Sequence, residues 1–362
     1  MSRDLHVTAL VRELGRGART SRALSRERAR GLFAAMLAGE IDDLRLGALL
    51  IAYRIKGETA EELAGMLDAA QATIKPLPVL HRPPVVIASY NGARRMPNLV
   101  PLLAVSLAAR GVPVLVHGDA ADGHGRISSA SIFHALGIEA CTSTAQATDA
   151  LASDRPLAFV PIDVLSPALA SLLALRDSIG LRNSAHTVVK LLNPFAGPAL
   201  RLVNFTHPPY RDTLFALFNS VDPPAAPGVL LARGTEGEAS ADPRRQVAVE
   251  WLADGEAKTV LAASYGDAAD AVALPANNAA DTARWTRRVL AGELPIPATL
   301  QQQVRTIVAC SRHALAGTKA TTSMRRDSTD TGISKATHDA IVAPCTRDGD
   351  ISPPKRGEEA TQ

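Results

Sequence analysis

Up to about residue 75 the apolar positions recur three and four residues apart, the spacing that turns one face of a helix inward. LHVTALVRELGRG reads as a first helix with a glycine stop. SRERARGLFAAMLAGE predicts a second, opened by Ser25 as N-cap and closed near Gly39. DDLRLGALLIAYRIKGE and TAEELAGMLDAAQATI follow, and Thr59 with Glu62 has capping-box spacing. From about residue 80 short β-rich runs alternate with helical ones: VVIAS, then NLVPLLAVSLAARG; VPVLVHG, then SSASIFHALG; LAFVP, then SPALASLLALRDSIG. LRLVNF, GVLLARG and KTVLAAS continue the series. Alternation of this kind predicts crossover units and a mainly parallel sheet. DTARWTRRVLAGE and TLQQQVRTIVACSRHALAG predict a helical close near Gly317.

The expected fold class is therefore α/β: a small all-helical domain at 1–78, a larger α/β domain at 79–317, and a flexible tail at 318–362. The tail is polar and carries seven basic and seven acidic residues, so it adds no net charge.

Composition refines this picture in two places. Aromatics are only 4% of the 362 residues against 46% hydrophobic, so the core is aliphatic and alanine-rich. Cys141, Cys310 and Cys345 are odd in number and widely spaced, which argues against a disulfide framework and for a reducing cytoplasm. No apolar run is long enough to span a bilayer, so no membrane association is expected. Asp4 and Glu13 weaken a presequence reading of the Arg-rich N-terminus.

Charge is segregated although the formal net charge is only +3. Residues 1–32 hold eight arginines against three acids, and residues 176–211 hold Arg176, Arg182, Lys190, Arg201 and Arg211 against Asp177. Such segregation is expected where one surface meets phosphates, although arginine is also common on ordinary helix faces. Within HGDAADGHG, His117, Asp119, Asp122 and His124 match no standard metal-ligand spacing, and the run reads as a polar loop. Tyr90 and Tyr210 are the candidate platforms for base stacking, with partial core burial the competing role.

The junction IASYNGARRMPN carries the main chemical question. A strand runs into a turn and then a helix, the place where α/β proteins hold phosphates, yet the turn has one glycine, Gly92, and two arginines, Arg94 and Arg95.

LSRERARGLFAAMLAGEIDDLRLGALLIAYRIKGETAEELAGM, VLVHGD, HALG, RDSIGLRNSAHTVVKLLNP and NAADTARWTRRVLAGE together resemble the anthranilate phosphoribosyltransferases over about residues 5–317. The resemblance implies a helical domain, with a contribution from about 166–196, joined to a larger α/β domain, and a homodimer through the helical part. It also implies a phosphoribosyl pyrophosphate site built from a GTGGD turn, an NxST helix start, a KHGN segment and a DE pair for magnesium. Here those positions read Ala88-Ser89-Tyr90-Asn91-Gly92, Asn98-Leu99-Val100-Pro101, Val116-His117-Gly118-Asp119 and a loop Thr235–Ser240 with Glu236 and Glu238 in place of the pair. Side chains where glycines stood obstruct backbone approach to a pyrophosphate, and two hydroxyls and a lysine are lost. Four departures at one site imply a degenerate small-ligand site without catalytic residues: Ala88, Ser89, Tyr90, Asn91, Gly92, Asn98, His117 and Gly118.

SYNGARR…NLVPLL, VHG and RGTEGE are similar to the YbiB-type branch of this superfamily. That resemblance implies a homodimer that binds nucleic acid, DNA or RNA, along a basic groove without reading bases. The expected phosphate contacts are Arg94, Arg95, Arg176, Arg182, His186, Lys190, Arg201, Arg211, Arg233, Arg244 and Arg245. No cofactor or metal is expected. The alternative is an active phosphoribosyltransferase or nucleoside phosphorylase-like enzyme, which would need magnesium. An acidic protein partner for the arginines is a third possibility.

Overall fold

A buried carboxylate organises the first four helices, α1 (Val7–Leu14), α2 (Arg26–Leu37), α3 (Asp43–Lys56) and α4 (Ala60–Gln71). Glu62 is fully buried; it accepts from the Thr59 amide (3.0 Å) as the expected capping box requires, and from the Leu24 amide (2.9 Å). Its other partner is the buried Lys56 ammonium at 2.5 Å. One side chain thus ties together the entry to α2, the end of α3 and the start of α4. α2 and α4 pack closely because Gly65 has no side chain: a Cβ there would meet the Arg26 carbonyl at 2.1 Å. Ser25 caps α2 by accepting from the Arg28 amide, as expected from its position.

The computed structural model of the chain describes residues 6–17, 20–264 and 272–324, and side chains as far as residue 312. Residues 1–318 form one compact unit and 319–362 a second, so the expected tail lies largely outside the described residues.

In chain order the helical part is followed by β1 (Val85–Ser89), α5 (Val100–Ala108), β2 (Val114–Gly118), α6 (Ser129–Leu136), α7 (Thr144–Leu151) and β3 (Leu157–Pro161). Then come α8 (Ile162–Leu165), α9 (Pro167–Ile179), α10 (Ala185–Val188), β4 (Leu200–Phe205), α11 (Pro208–Ala216) and β5 (Val229–Arg233). β6 (Val249–Ala253), β7 (Glu256–Leu261), α12 (Ala279–Leu290) and α13 (Ala298–Met324) complete it. The sheet runs β3-β2-β1-β4-β5-β6-β7, with parallel pairing through β5 and antiparallel pairing at β6 and β7. The central strands are buried on both faces, which explains their uninterrupted apolar runs. Val86 and Ala88 join the core shared with the helical part, while Val85 and Ile87 face the core under α5, α12 and α13. α9 packs on α2 and α10 on α4, so the 166–196 segment sits with the first four helices.

Several features differ from the sequence reading, the unanticipated α7 among them. β6 is a strand in which Val249, Glu250 and Trp251 alternate until Leu252 breaks the pattern, with a register shift at Val249/Glu250. α11, not anticipated from the sequence, opens on two prolines in the first helical turn, where proline is tolerated. α13 continues past Gly317 to Met324.

Replacing Glu62 by alanine would strand the Lys56 charge and two amide donors in the interior. The expected cost is about 3–5 kcal/mol, read as a shift of the urea midpoint, with a milder loss for E62Q.

Candidate functional site

The sheet order reverses around β1, whose neighbours are β2 and β4. In open α/β sheets such a switch point leaves a crevice at the carboxyl ends of the strands. Here the crevice is roofed by residues on and around α10, and a cleft of about 240 Å³ opens beside it, lined by Asn91, Arg182, His186, Lys190, Asn204 and Tyr210 among others. The turn after β1 forms its floor. Gly92 adopts φ 60° and lies against the Ile127 carbonyl, which a Cβ would meet at 2.9 Å. Paired hydrogen bonds between Ala93 and Ile127 (2.9 and 2.8 Å) fasten the turn to the loop after β2.

The turn's backbone donors are already taken. The Asn91 and Gly92 amides donate to Oε1 of Glu238 at 2.8 and 2.7 Å. The Arg94 amide donates to Oε2 of Glu236 at 2.5 Å, and the Arg95 amide reaches both oxygens of Glu236 at 3.1 and 3.2 Å. Both glutamates lie on a hairpin tip after β5, closed by reciprocal bonds between Thr235 and Glu238 (3.0 and 2.9 Å). Glu236 (φ 52°) and Gly237 (φ 89°) are both left-handed, as a two-residue turn of this kind requires. Gly237 packs so tightly on Asn91 that an added Cβ would lie 1.6 Å from Nδ2.

Around this floor the structure brings together several of the expected cations and one that sequence reasoning missed. Arg126 donates to the Gly92 carbonyl at 3.1 Å. Burial first, then the neighbouring Arg176 and Arg126 charges, push Arg182 down to about 10. Lys190 reaches the Gly237 carbonyl at 3.4 Å, and burial pushes it down to about 8 against the favourable pull of Glu238. Asp119, open to solvent in surface area yet recessed among protein atoms, is pushed up to about 6 by burial and by the Glu238 charge. Glu238 is 1% exposed and its carboxyl is also raised, chiefly by burial. Among the described residues, Arg94, Arg95, Arg126, Arg176, Arg182 and Lys190 form no ion pair.

Most of the other expected phosphate contacts are occupied elsewhere. Arg201 lies at the amino end of β4, donates to the Leu191 carbonyl at 2.7 Å and stacks on Phe218. Arg211 makes a two-pronged pair with Glu250 and also meets Asp212. Arg244 and Arg245 both pair with Asp242. Arg233 is exposed at the end of β5. His186 is held uncharged, at about 3, by burial and by Arg182, so it contributes no cation at neutral pH.

The remaining residues of the expected small-ligand site are structural. Ala88 is core. Ser89 shares a 2.7 Å hydrogen bond with Ser129, and Asn98 donates to Ser129 and caps the Val100 amide. Tyr90 is buried and bonds Nδ1 of His117 at 2.7 Å, which removes it as a stacking platform. Gly118 passes so close to the Ser89 carbonyl that a Cβ would sit at 2.2 Å. In HGDAADGHG, Asp122 accepts from Ser128 and Ser131 and so closes a local turn, while His124 faces Asp177 on α9. The residues present do not fit magnesium as the family fold would use it. Both oxygens of Glu236 and Oε1 of Glu238 accept from backbone N–H donors, which leaves only the buried Oε2 of Glu238 unpartnered, and among the described residues no group of three or more His, Cys, Asp or Glu is placed to hold a metal ion. Among the described residues no helix is long and apolar enough to cross a membrane.

Comparison with known proteins gives consistent results. Residues 8–73 match the helical bundle domain of the glycosyl transferase family. The uncharacterized protein YbiB of Escherichia coli K12 is 43% identical over 298 residues, covering 82% of this chain and 91% of that protein. Anthranilate phosphoribosyltransferase of Methanopyrus kandleri is 29% identical over 286 residues, covering 75% of this chain and 81% of its own length. The crystal structure of anthranilate phosphoribosyltransferase from Thermus thermophilus superposes with a TM-score of 0.65 at 24% identity, over 85% of this chain and 88% of that one. The likeness in structure is one of fold.

His117 supplies a pH signature. Burial holds it down to about 3, so between about 3 and its ordinary 6.5 the unfolded chain binds the proton and the native chain does not. Its contribution is complete above 6.5 and is lost as pH falls through this window. H117Q is expected to flatten the acid limb of stability against pH by up to about 1.4 kcal/mol per pH unit, checked by urea melts from pH 4 to 7.

Proposed function

The chain belongs to the YbiB-type branch of the anthranilate phosphoribosyltransferase-like superfamily, and on that premise we propose that it is a nucleic-acid-binding protein rather than a transferase. The observation that carries this reading is the contrast within one crevice. The turn that would hold a small phosphate is filled by the chain's own carboxylates, while Arg94, Arg95, Arg126, Arg176 and Arg182 around it have no carboxylate of their own. Guanidinium groups in that state favour a polyanion: each phosphate they neutralise releases counterions, and no base need be read. Single-stranded or double-stranded DNA or RNA would satisfy such a rim. Magnesium-dependent transfer from phosphoribosyl pyrophosphate is the alternative that the fold raises, and turnover of that donor would displace the present reading.

The proposed assembly is a homodimer through the helical domain. α3 carries Leu44, Ala48, Ile51 and Ile55 along one stripe, with Leu44 84% and Ile55 63% exposed. A second copy of the same stripe is the occupant proposed here. L44E/I55E is expected to halve the mass measured by light scattering without lowering the melting temperature.

The direct test is fluorescence anisotropy with single- and double-stranded oligonucleotides of several sequences at graded salt. R94E/R95E is expected to weaken binding by about tenfold or more on every sequence and to reduce the log–log salt slope by about two. R211A and R244A, whose guanidinium groups are already paired, are expected to change affinity by less than about twofold.

A further inference from the structure

We propose that the hairpin tip Thr235–Glu238 is an internal anion, which occupies the phosphate-binding turn and closes it to small phosphoanhydrides. Successive backbone N–H groups in a turn make a concavity that binds an anion. Here the Asn91, Gly92, Arg94 and Arg95 amides converge on the two glutamates, at 2.5–3.2 Å. Each carboxylate sits where a phosphate would place its oxygens, and the two uses are mutually exclusive. Glu238 is buried, so an entering phosphate would have to expel it.

The backbone of the tip supports the same reading. Glu236 is a non-glycine residue at φ 52°, a conformation that costs free energy for most side chains. Glycine, asparagine or aspartate ordinarily fills that place in such a turn. A longer side chain persists there with its carboxylate on two amides 141 and 142 residues away in sequence. Gly237 then allows the tip to seat on Asn91, and Lys190 bonds its carbonyl from the cleft side. Both carboxylates of the tip point into the turn.

The consequence is a selectivity filter. A small phosphoanhydride needs the turn amides and is refused them. A polymer of phosphates can be held by side chains on the rim and does not compete with the glutamates. The inference concerns the amides alone and stands whether or not nucleic acid is the ligand of the rim.

The experiment uses the full chain and inorganic pyrophosphate in magnesium-free buffer at fixed ionic strength. The wild-type protein is expected to give no heat of binding. E236A/E238A is expected to gain affinity by at least about tenfold. In parallel, amide hydrogen exchange followed by NMR reads the plug directly. E236A, a change at a partly exposed tip, is expected to speed exchange at Arg94 and Arg95 by about tenfold or more while Asn91 and Gly92 stay protected by Glu238. Wild-type binding of pyrophosphate as tight as that of the double variant would overturn the proposal. So would unchanged exchange at Arg94 and Arg95 in E236A, which decides the matter if the double variant does not fold. Oligonucleotide anisotropy on the same samples keeps the two ideas apart: lost amide protection with retained oligonucleotide binding removes only the plug's rival, a phosphate-loaded turn, whereas wild-type protein that ignores oligonucleotides removes only the nucleic-acid reading.

Discussion

Backbone donors at the end of a buried strand need acceptors, and an unmet one costs roughly 1–3 kcal/mol. In this chain the need falls on the turn after β1, and Glu236 and Glu238 meet it from the far side of the crevice. Much of the local structure depends on that bond set. It fixes the end of β1 to the loop after β5, across β4, and so fixes the floor of the cleft. It also brings the Glu238 charge near Lys190 and Arg182, where it offsets part of the burial cost of those cations without a direct ion pair.

The electrostatics divide accordingly. Deep in the crevice, Lys190, Arg182, Asp119 and Glu238 perturb one another and are shifted mainly by burial. At the surface, Arg94 and Arg95 keep exposed guanidinium groups while their amides are bound. One dipeptide thus separates two jobs: its backbone closes the turn and its side chains face solvent. Elsewhere positive charge is cancelled locally, as Arg26 is by Asp68 and Asp222 and Arg28 by Glu13, so the sequence surplus at the N-terminus overstates the charge on offer.

Much of the fold was legible because its signals are local. The capping box at Thr59, the N-cap at Ser25 and the apolar runs of β1 to β5 each depend on a few neighbouring residues. Loss of glycine from the turn was equally plain. What the sequence hid is non-local. Glu236 and Glu238 read as loop acids, since nothing in RGTEGEAS names a partner near residue 92. Arg126 reads as one more arginine until Gly92 is seen beside it. The pairing of Arg244 and Arg245 did have a signal, Asp242 in the same tetrapeptide. The partner of Arg211, Glu250, came from a strand that was not anticipated.

The amides tied down after β1 belong to a dibasic pair on an exposed loop. Trypsin-like proteases cut after arginine on exposed loops and must draw the chain into an extended strand before cleavage. With its N–H groups held by Glu236 and its neighbour Ala93 paired to Ile127, the Arg94–Arg95 bond is withheld from that geometry. The same carboxylate that fills the turn therefore opposes cleavage at two adjacent arginines displayed in the open.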